Sequence, residues 1–212
     1  MPKFSTHCVD CPRLASHLAH VRERFHGYHA RPVEPFGDDQ ARLLIVGLAP
    51  GMHGANRTGR PFTGDYAGIL LYQMLHKHGL ANRAEAVSRD DGLELHNCRI
   101  TNAVKCLPPE NKPTTDEIRT CNRYLKSELE VMPEGTVILA LGSIAHKAVL
   151  QAFKLRQVDY AFAHAAEHAL PSGRRLIDSY HCSRYNTQTR RLTEAMFDNV
   201  VARVRTMLAQ WP

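Results

Sequence analysis

Residues 42–65 read RLLIVGLAPGMHGANRTGRPFTGD, and the change of character at Gly47 decides the fold class. Up to that glycine the segment is a short, nearly unbroken apolar run, the pattern of a strand covered on both faces. Beyond it, five glycines and two prolines within residues 47–65 describe a tight, irregular loop whose backbone can approach a ligand closely. The loop carries positive charge at Arg57 and Arg60, an aromatic face at Phe62, and a carboxylate at Asp65 where the next helix opens. Aspartate there also suits a plain helix N-cap. The loop has neither the GxxxxGK(S/T) spacing of a nucleotide P-loop nor the GxGxxG of a Rossmann turn.

Three similar apolar runs follow, at 99–104 (RITNAV), 136–141 (TVILAL) and 175–180 (RLIDSY). Helical patterns separate or follow them at 68–78, 115–131, 143–153 and 193–210. The second of these has a start signal: Thr114 and Glu117 stand at capping-box spacing, with Asp116 and Glu117 adding negative charge at the positive end of the helix dipole. In the last, Leu192, Met196, Val200, Val204 and Leu208 recur four apart as an apolar stripe. Strand–helix alternation with short links predicts a three-layer α/β/α sandwich around a central, mainly parallel sheet of four strands, formed by the whole chain 1–212 as a single domain. Residues 27–40 read as a long loop between an N-terminal helix and the first strand.

Ligands of such sheets bind beyond the carboxyl ends of the strands, so the segments there hold the candidate site. Asn102 and Asn111, after the second strand, offer amides able to read a nucleobase edge. Gly142-Ser143, after the third, leads into a helix whose free N–H groups suit a phosphate. His181 ends the fourth and is followed by Ser183, Arg184, Tyr185, Asn186, Arg190 and Arg191, a polar, basic stretch able to grip a phosphate backbone.

Composition narrows the classes. The 212 residues are 43% hydrophobic and 23% charged, too apolar for disorder. The first twenty residues contain no apolar core of a secretory signal, which predicts a cytoplasmic protein. No run reaches the ~20 apolar residues of a membrane span; the best, 136–153, is broken by Gly142, His146 and Lys147. A net charge of +6 hints at a polyanionic partner without identifying one. The six cysteines say more, because a cysteine cluster in an intracellular chain points to metal or redox chemistry before disulfides. Cys8-x-x-Cys11 with Cys106 and Cys121 could supply four thiolates for either structural zinc or an iron–sulphur cluster. Cys98 and Cys182 are then spare, Cys98 as a small buried hydrophobe. Cys182 beside His181 raises a Cys–His nucleophile, but no acyl-transfer loop accompanies the pair.

Together, CVDC (8–11), GLAPGMHGANRTGRPFTGD (47–65), VKCLPPENKP (104–113) leading to Cys121, and YHCSRYNTQTRRLT (180–193) resemble the iron–sulphur uracil-DNA glycosylases, in particular the fifth family, class B type. The resemblance implies the glycosylase α/β/α sandwich and a chiefly structural [4Fe–4S] cluster on Cys8, Cys11, Cys106 and Cys121. It implies a monomeric enzyme of base excision repair that flips uracil, and other deaminated bases such as hypoxanthine, out of DNA and hydrolyses the N-glycosidic bond. Phe62 would stack on the base, Asn111 with Asn102 would read its edge, and backbone amides between Gly51 and His53 would add contacts. His181 would stabilise the anionic leaving base. Arg57, Arg60, Ser143 and residues 183–191 would face the DNA.

Two features depart from the pattern expected of the family. Cys182 stands where many relatives carry another small residue, and Arg190 where glycine is expected. Leu48 and the Ala49-Pro-Gly-Met-His run offer no carboxylate to orient water, a gap that itself resembles the fifth family, and this leaves Asp65 as the candidate catalytic partner of His181. A non-catalytic nucleic-acid-binding iron–sulphur or zinc protein is the competing expectation. A small-molecule nucleotide hydrolase is disfavoured by the lack of a phosphate lysine or paired metal carboxylates.

Overall fold

The computed structural model describes residues 4–210. At its centre four parallel strands, β2 (Leu43–Gly47), β3 (Cys98–Asn102), β4 (Val137–Leu141) and β6 (Arg175–Ser179), match the four expected runs to within two residues. Two short antiparallel strands, β1 (Phe36–Gly37) and β5 (Glu167–Ala169), extend the edges, so the sheet has six strands in the order β1-β3-β2-β4-β6-β5. The expectation of four is corrected by these additions. Neither added strand is long enough to show a period, and β1 contains Gly37 at φ 108°, inside what reads as a loop.

The apolar strands face cores on both sides. Leu43 and Ile45 of β2 pack under α3 (Tyr66–Lys77) and α7 (Glu194–Ala209), whereas Leu44 and Val46 pack under α4 (Thr115–Val131) and α5 (Ser143–Ala152). That double burial is why β2 lacks the alternation of a half-solvated strand. A third cluster joins α1 (Pro12–Arg24) to the segment after β3 and to α4, with Leu14, Leu18 and Val21 against Val104, Leu107 and Tyr124.

Helix α4 forms where its capping box predicts. Thr114 Oγ1 accepts the Glu117 N–H, and the Glu117 carboxylate accepts the Thr114 N–H at 2.7 Å. The same carboxylate accepts two bonds from Arg13 at 2.7 Å each, tying α1 to α4. The stripe on α7 is displaced from the expected one: Phe197, Val200, Val201, Val204 and Met207 are buried, and Met196 and Leu208 flank them.

Because β3 and β4 lie on opposite sides of β2, the chain reverses its direction of travel across the sheet there. That is where an open parallel sheet leaves a crevice at its carboxyl edge.

Candidate active site

At this switch point a chamber of about 390 Å³ is lined by Leu48, Ala49, Gly51, Ala55, Phe62, Asp65, Ala67, Asn102, Asn111, His181 and Ser183. It is a ligand-sized volume, apolar with a few convergent polar groups. Asn102 ends β3 in register with Gly47 of β2. It is only 4% exposed, and its Oδ1 has no hydrogen-bond partner among the described residues. A buried acceptor left open is expensive unless a ligand completes it.

Gly47 makes this arrangement possible. A Cβ there would lie 2.4 Å from Asn102 Oδ1 and 2.6 Å from Phe62 Cζ. Gly47→Ala is therefore expected to displace both groups and reduce kcat/KM for the chamber's substrate by about 10²-fold, with the far-ultraviolet circular dichroism unchanged.

Asp65 caps α3, its Oδ1 accepting the Gly68 N–H at 3.1 Å. Its other oxygen faces the first loop, where a Cβ on Gly54 would come within 2.2 Å of it. Burial raises the Asp65 pKa above the usual carboxylate value, opposed by the N–H groups of Gly68 and Ala67. Across the chamber the His181 ring lies beside Phe62, with centroids 5.9 Å apart and planes inclined at 29°. Burial lowers the His181 pKa to about 4, so at neutral pH its ring is an uncharged hydrogen-bond donor. Phe62 holds a left-handed backbone at φ 53°, and Asn111 another at φ 56°.

The basic segment after β6 folds into the short helix α6 (Arg184–Gln188). Ser183 caps it, and Asn186 Nδ2 donates to the His181 carbonyl at 2.8 Å, so these two residues brace the histidine. Arg184 lies over the exposed Tyr66 ring at 5.8 Å, and Arg191 over Tyr180 at 4.7 Å. Tyr185 is 69% exposed. Ser143, Gly142, Arg191 and His181 line an adjoining recess of about 220 Å³.

The four expected cysteine ligands converge on one pocket under α1, which Phe4, Leu14, Val104 and Tyr124 also line. The Lys105 backbone N–H donates to Cys121 Sγ at 3.3 Å, and the Tyr124 hydroxyl to Cys8 Sγ at 3.4 Å. Burial, then the neighbouring Cys121, Glu117 and Cys8, pushes the Cys11 thiol up to about 11. Thiolates crowded this way call for a cationic centre. The four sulfurs share one pocket, a donor set that suits either structural zinc or an iron–sulphur cluster.

Residues 34–205 match the uracil DNA glycosylase superfamily. The chain belongs to that superfamily. Among its relatives are the type-5 uracil-DNA glycosylases of Thermus thermophilus, 50% identical and covering 92% of this chain and 91% of the relative, and of Pyrobaculum aerophilum, 44% identical over 92% and 87%. The Mycobacterium leprae type-5 enzyme is 43% identical over 91% and 88%. These identities place the chain with the type-5 glycosylases. The crystal structure of Pedobacter heparinus SMUG2 shares the fold, with a TM-score of 0.52 at 16% identity, covering 92% of this chain and 85% of that one.

Within this glycosylase the expected residues fall into two groups. Asp65, His181, Phe62, Asn102, Asn111 and Gly51 meet in the chamber; His53 does not line it. The His53 ring instead packs edge-on against Tyr28, whose hydroxyl lies 2.8 Å from Nδ1. Arg57 stands exposed, with Nε donating to the His53 carbonyl at 2.7 Å.

Arg60 corrects the expectation of a DNA-facing rim. It is 3% exposed and donates to both carboxylate oxygens of Asp91 at 2.8 and 2.7 Å. Although burial raises the Asp91 pKa, Arg60 and three backbone N–H groups hold it well below the usual range. Arg60 thus anchors the loop after α3. Arg190 does occupy a left-handed position, φ 56°, which explains the expectation of glycine there. Cys98 and Cys182 are fully buried.

Sequence reasoning missed Leu48, Ala49, Ala55 and Ala67 as chamber walls. Their small apolar side chains carry no chemical signal, although Ala67 stands only two residues beyond Asp65. Among the described residues no helix is long and apolar enough to cross a membrane.

Proposed function

We propose that the protein is a monofunctional uracil-DNA glycosylase that hydrolyses the bond between a flipped-out base and its deoxyribose in base excision repair. The observation that carries this reading is the chamber itself, where an open amide acceptor, an aromatic ring, a desolvated carboxylate and a neutral imidazole face one base-sized space. The names of the type-5 relatives support the same substrate.

The duplex is held from outside. Arg57, Arg184, Tyr185, Arg190 and Arg191, with the N-terminus of α5 at Ser143, take the phosphates and fill the gap left by the flipped nucleotide. Asn102 and Asn111 bind the base edge, and Phe62 covers its face. As the C1′–N1 bond breaks, its electron pair leaves with the base and negative charge develops on O2. The neutral His181 ring donates to that oxygen. The sugar becomes oxocarbenium-like and is stabilised by the Asp65 carboxylate. Water then adds to C1′ and the proton it releases neutralises the departed base anion, leaving an abasic site and free base. The apolar walls do not select strictly among bases, which favours hypoxanthine as a further substrate. A panel of duplex and single-stranded DNA carrying uracil or hypoxanthine, assayed for released base, tests the reading. Release of neither from intact protein overturns it.

The pocket shared by the four cysteines suits the [4Fe–4S] cluster that the resemblance implies, on Cys8, Cys11, Cys106 and Cys121. Bound there, the cluster would cross-link the segment before α1 to the segment after β3, which leads to Asn111. Preparations are expected to be brown, with four irons per chain. Cys106→Ser is expected to bleach the visible absorbance and lower the Tm by about 10 °C, comparable to losing another structural cross-link. A colourless protein carrying zinc with an unaltered Tm in Cys106→Ser contradicts this assignment. Tight DNA binding without base release would instead favour the non-catalytic reading.

A further inference from the structure

Toward the β5 edge of the sheet, away from the β3 edge beside the cysteine pocket, three residues from three elements converge: His146 of α5, His168 of β5 and Asp178 of β6. His146 Nδ1 lies 2.9 Å from the Asp178 carboxylate, and His168 Nε2 3.3 Å from its Oδ2. His146 is 2% exposed and Asp178 is fully buried. The other nitrogen of His146, Nε2, lies 3.0 Å from the Tyr160 carbonyl. A carbonyl only accepts hydrogen bonds, so Nε2 carries the proton, and in a neutral ring Nδ1 is then a bare lone pair. That lone pair points at a carboxylate, which also only accepts. Two such atoms, buried and in near contact, need a cation between them.

We propose that His146, His168 and Asp178 bind one divalent transition-metal ion, with zinc the occupant best suited to two imidazoles and one carboxylate. The alternative cation is a second proton on His146. The convergence of a third ligand favours the metal: all three ligand atoms lie within 4.8 Å of one another, whereas a proton would need only the His146–Asp178 pair. The Tyr160 carbonyl supplies the outer hydrogen bond that ordinarily fixes the tautomer of a metal-bound histidine. The rings of Phe162, 5.6 Å from His146, and Tyr160, 5.7 Å from His168, wall the site. The His168 side chain is 14% exposed, leaving a path for a water molecule to complete a tetrahedron.

The ion would fasten the excursion between α5 and β5 to the sheet. That excursion carries Phe162, which lines the recess beside His181, so the site braces one wall of the active centre without touching the substrate.

Zinc chloride is titrated into chelator-washed, tag-free holo-protein and followed by calorimetry, thermal unfolding, visible absorbance and elemental analysis. The expected result is one zinc per chain with iron and visible absorbance unchanged. At a hundred times Kd the Tm should rise by about 5 °C or more. His168→Ala, altering the least buried of the three ligands, should weaken zinc binding at least about a hundredfold and abolish the Tm response, with iron unchanged. No zinc uptake by the unaltered protein, uptake that bleaches the iron absorbance, or equal uptake by His168→Ala overturns the proposal.

Discussion

Asp65→Asn is expected to slow single-turnover base release by about 10²–10⁴-fold, the range for losing a group that acts on a proton or charge in the transition state, while the fold and iron content stay intact. The choice of asparagine matters because Asp65 has two functions. Its Oδ1 caps α3 through the Gly68 N–H, and Asp65→Ala would remove that bond as well, at a cost of about 1 kcal/mol. Asparagine keeps an oxygen for the cap and removes the charge. The carboxylate sits among Gly51, Gly54 and Phe62, where burial raises its pKa above 3.8. It must be ionised to balance a cationic sugar or accept a proton from water. The rate should therefore fall on the acid side at a pH above 3.8, and Asp65→Asn should lack that acid limb. A full rate in Asp65→Asn would remove the residue from the mechanism.

His181→Ala is expected to cost about 10²–10³-fold in the same measurement, as for removal of one donor to a developing oxyanion. Asparagine or glutamine at 181 should recover part of the loss by restoring an N–H. Because burial lowers the His181 pKa from 6.5 to about 4, the imidazolium plays no part near neutral pH. The same shift links the residue to stability. In the unfolded chain His181 takes up a proton near pH 6.5, but in the folded chain only near pH 4. The unfolded state thus binds more protons between these values, and stability is lost as the pH falls from about 6.5 to about 4. His181→Ala should flatten that portion of the Tm–pH curve. A variant with an unchanged rate and an unchanged curve would contradict both roles.

What was legible in the sequence follows from where each signal resides. The four parallel strands were legible because burial on both faces leaves an apolar run that needs no partner to be recognised. Helix α4 was readable to the residue because its capping box is local. The chamber followed from topology, since Asn102 ends β3, His181 lies just beyond β6, and Asp65 closes the loop that leaves β2. Features depending on distant partners were hidden. Arg60 looks like a free cation in a glycine-rich loop, but its partner Asp91 lies 31 residues away in a stretch without periodicity. His146, inside an apolar helix, gives no hint of Asp178, 32 residues on. Strand β1 hides in a loop because a two-residue edge strand has no pattern to read.

This chamber is expected to break the glycosidic bond of a base it has taken from the helix. The most direct measurement is the mass balance of a single turnover, with excess holo-protein on duplex DNA carrying one uracil. One free uracil should appear for each abasic site, with no strand break at that site until alkali or heat is applied. DNA bound in stoichiometric complex with its uracil still attached would contradict the account.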